Sequence, residues 1–137
     1  MTPSPDLLQS QRGAVLYLTI NRESRSNSIS PGVLDGISEA LTRVEGDSTI
    51  RAVVLTGAGS KSFCAGGDLR SGNTFVFDYA DPTMAFGNVL RLARRATVPL
   101  IARVNGACLA GGMGLLGMCD LAVASESAVF GDRKSVV

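Results

Sequence analysis

Two hydrophobic rhythms alternate along the chain. Ala14 to Ile20 (AVLYLTI) is a short apolar, β-rich run that predicts a strand ending at Asn21. Ser30-Pro31 then places a capping hydroxyl before a proline suited to the first helical turn. Leu34, Ile37, Leu41 and Val44 recur at helical spacing and predict a helix to Glu45. Arg51 to Thr56 (RAVVLT) reads as a buried strand that stops at Gly57-Ala58-Gly59, the start of a glycine-rich loop reaching Asp68. Ser71 to Tyr79 is weakly patterned and predicts no element.

Asp81-Pro82 offers a second cap and first-turn proline, and Phe86, Val89, Leu90 and Ala93 form a helical stripe behind it. Arg94 and Arg95 suit the negative end of that helix dipole. Pro99 to Val104 predicts a third strand, broken by Asn105-Gly106. The small residues from Ala110 to Met118 predict a short buried helix whose glycines allow close packing. Leu121 to Ala124 predicts a fourth strand, and Phe130-Gly131 ends the readable pattern. This alternation is that of an α/β fold with parallel pairing, in one domain and without repeats.

Composition narrows the chemistry. With 45% apolar and 18% charged residues, the chain carries enough apolar surface to offset its conformational entropy, which excludes disorder. Thirteen basic against 12 acidic side chains, with no basic block, argue against a nucleic-acid partner. There is no histidine, so Ser-His-Asp and Cys-His catalysis and histidine zinc sites are excluded within this chain. Cys64, Cys108 and Cys119 form no C-x-x-C pair, which argues against a disulfide framework or a thiolate metal site. The first residues lack the apolar run of a signal peptide, and no stretch is long enough for a membrane span. The expectation is a soluble cytoplasmic protein with no metal and no membrane partner. Its chemistry must come from carboxylates, hydroxyls, thiols or the backbone.

Two segments present unusually bare main chain after a predicted strand: Phe63-Cys64-Ala65-Gly66-Gly67-Asp68-Leu69, and Asn105-Gly106 through Gly114. Glycine there means either tight turns and packing or the close approach of another group to the backbone. Spacing alone leaves both open. Neither G-x-x-x-x-G-K-[ST] nor a G-x-G-x-x-G after the first strand is present, which disfavours a nucleotide loop.

Three pieces in order, LTINRESRSNSIS, RAVVLTGAGSKSFCAGGDL and PLIARVNGACLAGGMGLLGMCDLAVASESAVFG, resemble the enoyl-CoA hydratase/isomerase (crotonase) superfamily and cover nearly the whole chain to Gly131. The resemblance implies a crotonase-like (ClpP/crotonase) spiral of ββα units, cut after about half the usual family length. It divides the chain into an N-terminal family portion, 1–131, and a non-family tail, 132–137. It also implies an acyl-CoA thioester substrate, with CoA carried as part of that substrate and no separate cofactor. An enolate-like anion at the thioester oxygen would be held by the backbone N–H groups of Gly67 and Gly111. Fixed dipoles in a dry site meet developing charge at little reorganisation cost. Gly111 would lie at a helix N-terminus, where unpaired N–H groups favour an anion.

The same resemblance places Arg25 near the CoA phosphates and Ala65, Gly66, Asp68 and Leu69 along the adenine and pantetheine path. Asp68 equally suits a cap of the following turn, and Arg25 a solvated loop position. Hydratases of the family commonly use two glutamates, and some members lack the first and rely on the second. Here the first would fall at Gly114 and the second near Lys134, so this chain lacks both. Asp132 is the nearest carboxylate to the second position. The implied activity is a hydratase-type lyase, with isomerase activity or acyl-CoA binding without turnover as alternatives. Full-length relatives are expected as homotrimers or hexamers. With half the fold missing, the apolar faces of the helices at 31–45 and 83–96 are expected to lack cover.

Overall fold

The computed structural model describes residues 5–68 and 84–131. Strand β1 (Leu7–Arg12) turns at Gly13, φ +59°, into β2 (Val15–Ile20), and the two pair antiparallel. In β2 only alternate residues, Leu16, Leu18 and Ile20, are fully buried, the period-two pattern of a strand. β1 has no such pattern, since only Leu7 reaches the core. An edge strand needs only backbone pairing, so its polar sequence predicted no strand.

Helix α1 (Pro31–Gly46) begins as its sequence predicts. Ser30 Oγ accepts a hydrogen bond from Val33 N at 3.2 Å, and Pro31 occupies the first turn. Val33, Leu34, Ile37, Ala40, Leu41 and Val44 form its buried stripe. Burying one large apolar side chain of this kind contributes about 1.5–3 kcal/mol. The chain then returns as β3 (Ala52–Gly57), parallel to β2.

From β3 onward, successive strands are dealt alternately to two sheets. β3, β5 (Leu100–Val104) and β7 (Leu121–Ala124) extend the first sheet, whose order is β1-β2-β3-β5-β7. β4 (Ser62–Cys64), β6 (Ala107–Leu109) and β8 (Phe130–Gly131) form a second, parallel sheet. Helix α2 (Ala85–Arg95) precedes β5, and α3 (Gly111–Gly117) lies between β6 and β7. This is the ββα pattern. The second sheet is invisible to periodicity because its strands have only two or three residues.

Two expectations need correction. The buried stripe of α2 is Phe86, Val89, Leu92 and Ala93, while Leu90 stays 39% exposed. Leu90 and Leu92 lie on opposite flanks of the 86-89-93 line, and packing against α1 and into the core selects the Leu92 flank. The apolar faces of α1 and α2 are also covered, because the helices pack on each other and on the core. Among the described residues, the most exposed large apolar side chains are Leu121, Val123, Val129 and Phe130, on edge strand β7 and at the start of β8. The cap at Asp81-Pro82 lies outside the described residues.

Candidate functional site

The first glycine-rich segment leaves β4 at Cys64. Ala65 N donates to Ser26 O at 3.2 Å, Ile29 N to Gly66 O at 2.7 Å, and Asp68 N to Ile29 O at 3.1 Å. The last two bonds make a parallel bridge between Ile29 and Gly67. In a trans peptide the carbonyl and the following N–H point in opposite directions. The Gly66 carbonyl points to Ile29, so the Gly67 N–H points away from it and takes no part in the bridge. Gly66, at φ +103°, adopts a conformation that a side chain would strain.

The second segment leaves β6 at Leu109. Ala110 stands at φ 49° and ψ −120°, a region almost reserved for glycine that costs on the order of 1–3 kcal/mol. It is held by Ala110 N donating to Gly131 O at 2.9 Å and by its own carbonyl accepting from Met113 N at 2.9 Å. By the same planarity argument, the Gly111 N–H points out of the N-terminal end of α3. The strained alanine thus sets the direction of one amide.

The two segments touch. A Cβ added at Gly111 would stand 3.3 Å from Ile29 Cδ1 and 3.7 Å from the Gly67 nitrogen. One added at Gly66 would stand 3.0 Å from Ala110 Cβ and 3.4 Å from the Gly111 nitrogen. One added at Gly112 would collide with the Cys64 carbonyl. Glycine is required here because two main chains pass within contact of each other.

Buried and half-buried polar side chains hold the surrounding loops. Asn27 donates through Nδ2 to Ala58 O at 3.0 Å and Ser62 O at 2.7 Å, and its Oδ1 accepts from Arg22 N at 2.9 Å. Asn105 donates to Gly59 O at 2.9 Å and Ser62 O at 3.0 Å, while its Oδ1 accepts from Gly57 N at 3.0 Å. Arg22 Nη2 donates to Asp68 Oδ2 at 2.7 Å. The sequence reading missed these three positioning side chains. Asn105 carried a signal, an Asn-Gly turn at a strand end, but nothing local marks Asn27 or Arg22.

Of the residues singled out from sequence, Gly67 and Gly111 are brought side by side, and Ala65 and Gly66 are buried next to them. Arg25 is exposed on a 3-10 turn spanning Glu23–Arg25. The Asp68 carboxylate is buried and ion-paired with Arg22. Leu69, Asp132 and Lys134 lie outside the described residues. At Gly114 a Cβ would meet the Phe86 ring at 3.0 Å, so an aromatic side chain lines that position.

Burial pushes the Cys64 thiol up to about 12 and the Cys108 thiol up to about 11. Cys119 is likewise raised to about 12, by burial and then by the neighbouring Asp120 charge. None is a thiolate near neutral pH, so none is a ready nucleophile. Among the described residues, no three His, Cys, Asp or Glu side chains gather as a metal site requires. No helix among them is long and apolar enough to cross a membrane.

Residues 10–136 match the family described as "Enoyl-CoA hydratase/isomerase". Enoyl-CoA hydratase EchA19 of Mycobacterium tuberculosis is 40% identical over 133 residues, which cover 93% of this chain and 49% of that protein. The crystal structure of an enoyl-CoA hydratase from Bacillus anthracis superposes with a TM-score of 0.80 at 32% identity, covering 95% of this chain and 51% of the other. A monofunctional enoyl CoA isomerase from M. smegmatis gives 0.76 at 32% identity, covering 93% and 53%. The chain therefore spans about half the length of the curated relatives it matches.

Proposed function

Because this chain belongs to the enoyl-CoA hydratase/isomerase family and has the N-terminal part of its fold, we propose that it binds acyl-CoA thioesters. In this reading the Gly67 and Gly111 N–H groups hold the thioester oxygen as it gains enolate character. The observation that carries it is the apposition of Gly67 and Gly111, with neither amide drawn into the adjoining bridge or helix. Removing one such donor typically costs about 2.7–4 kcal/mol of transition-state stabilisation.

The same reading extends to the rest of the substrate. Arg25, exposed at the end of the Glu23–Arg25 turn, would meet a CoA phosphate in this reading. Ala65 and Gly66 would offer main-chain contacts to the adenine and pantetheine, and so would Asp68, since its carboxylate is engaged by Arg22. Leu69 completes that path in the proposal. CoA enters as part of the substrate, with no separate cofactor. The proposed reaction is lyase-type hydration of an enoyl-CoA, with double-bond isomerisation as the alternative fate of the same enolate.

One observation favours a second reading, acyl-CoA binding without turnover. Among the described residues, side chains added at Gly111, Gly66, Gly112 and Gly114 would meet Ile29, Ala110, Cys64 and Phe86, none of them an acid or base near neutral pH. Calorimetric titration of the 137-residue chain with butyryl-CoA and with CoA tests binding; tighter binding of the thioester is expected. Equal affinity would overturn the amide-pair reading. Loss of crotonyl-CoA absorbance above background would remove the binding-only reading.

A further inference from the structure

We infer that Arg22 is a positioning residue for the Gly67 amide, its guanidinium clamping the two chain segments that meet at the Ile29–Gly67 bridge. This rests on the function proposed above and adds a residue to it. Nη1 donates to Ser28 O at 2.8 Å and to Ser28 Oγ at 2.9 Å, while Nη2 donates to Asp68 Oδ2 at 2.7 Å. Ser28 directly precedes Ile29, and Asp68 directly follows Gly67. One rigid fork therefore spans the bridge.

What the clamp holds is a direction. The Gly67 N–H belongs to the peptide whose carbonyl, Gly66 O, accepts from Ile29 N at 2.7 Å. If the 28–29 segment slides against the 66–68 segment, that peptide rotates about its neighbours and the N–H swings with it. Glycine on both sides of the peptide offers little resistance of its own. The bridge supplies two hydrogen bonds, and Arg22 adds three on its flanks.

The surroundings explain why arginine is used. Its side chain is 14% exposed and that of Asp68 8%, so water competes weakly for either group. Asp6 Oδ2 lies 3.8 Å from Arg22 Nε and accepts from Ser30 Oγ at 2.6 Å, tying the guanidinium to the start of α1 as well. The Arg22 main chain is itself fixed, since Asn27 Oδ1 accepts from its N–H and Asn27 N donates to its carbonyl at 2.9 Å. A planar fork with several donors can hold a carbonyl, a hydroxyl and a carboxylate at set angles, which an ammonium cannot. Buried ion pairs contribute little net stability compared with apolar replacements, so a geometric role accounts better for this one.

The test is difference infrared spectroscopy of the 137-residue chain with [1-13C]butyryl-CoA, which keeps the thioester carbonyl and undergoes no hydration. Binding of the unaltered chain should move the carbonyl stretch to lower wavenumber, as hydrogen bonding does. Arg22→Met should lose most of that shift and lower the preference for butyryl-CoA over CoA by about tenfold. Arg22→Lys should recover part of the shift. Should Arg22→Met fail to fold, Asp68→Asn, which keeps the shape and removes the charge, should also reduce the shift. A full shift retained in a folded Arg22→Met or Asp68→Asn protein overturns the positioning role alone. No shift in the unaltered chain overturns the amide-pair reading and this inference with it.

Discussion

Asn27 and Asn105 donate their side-chain amides to the same acceptor, the carbonyl oxygen of Ser62, at 2.7 and 3.0 Å. One comes from the loop before α1 and the other from the end of β5, and both are buried. Together they close the loop from Gly57 to Ser62 and bring β4 into place beside β6. Through that strand they set the position of Cys64 and of the glycine-rich segment after it.

Replacing either asparagine by alanine should lower stability by about 1–3 kcal/mol, because each leaves buried backbone groups without a partner. The two losses should not add, since the residues share an acceptor. Urea unfolding of both single variants and the double variant checks this. Losses that add within about 0.5 kcal/mol would show that the two residues act independently.

Gly112→Ala and Gly117→Ala, in the same short helix, should have opposite signs. A Cβ at Gly112 meets the Cys64 carbonyl, whereas one at Gly117 meets nothing within 4 Å. Overpacking predicts a loss of about 1–3 kcal/mol for the first. A gain of about 0.4–1 kcal/mol is expected for the second, from reduced freedom of the unfolded chain. Denaturation midpoints decide it, and equal shifts of either sign would contradict the close approach at Gly112.

Gly111→Val should weaken butyryl-CoA binding by about tenfold and leave CoA binding little changed. The added Cβ sits 3.7 Å from the Gly67 nitrogen, and its methyl groups would enter the space between the two amides. Calorimetry with both ligands reads the difference. Unchanged discrimination would show that the thioester oxygen lies elsewhere.

Alkaline pH should destabilise the fold through its thiols. Cys64 and Cys119 are raised to about 12 and Cys108 to about 11, from an ordinary 9.0. Above pH 9 the unfolded chain releases protons that the folded chain keeps, so stability falls as pH rises. The thiol contribution is fully present below the unfolded value and is lost as pH climbs through the folded ones. Urea midpoints at rising pH should fall from near pH 9, and Cys64→Ala should flatten that fall. An identical slope in the variant would remove Cys64 as a cause.

The exposed apolar edge at β7 predicts self-association, which Val123→Lys should reduce. Val123 is 67% exposed on β7, an edge strand that carries no charge. An uncharged apolar edge is a template for pairing with another chain, and an edge lysine blocks it. Sedimentation velocity should show a shift toward monomer, with circular dichroism unchanged. An unaltered distribution would place the sticky surface away from β7.

Strands β2, β3, β5 and β7 and helix α1 were legible because each rests on a local rule. Ala14 to Ile20 is an apolar, β-rich run, Ser30-Pro31 caps, and Leu34, Ile37, Leu41 and Val44 repeat with the helical turn. These patterns are enforced by backbone geometry within a few residues, so the chain carries them wherever it is read. The family motifs single out Gly67 and Gly111, and the fold brings the two segments into contact. Tertiary structure decided the rest. β1 pairs through its backbone, β4, β6 and β8 are too short for periodicity, and Leu92 rather than Leu90 is buried because α2 meets its neighbours on that flank. The direction of the Gly67 N–H depends on Ile29, and the hold of Arg22 on Asp68 crosses 46 positions of sequence. Such contacts are made by residues with no local relationship, and only folding brings them within hydrogen-bonding distance.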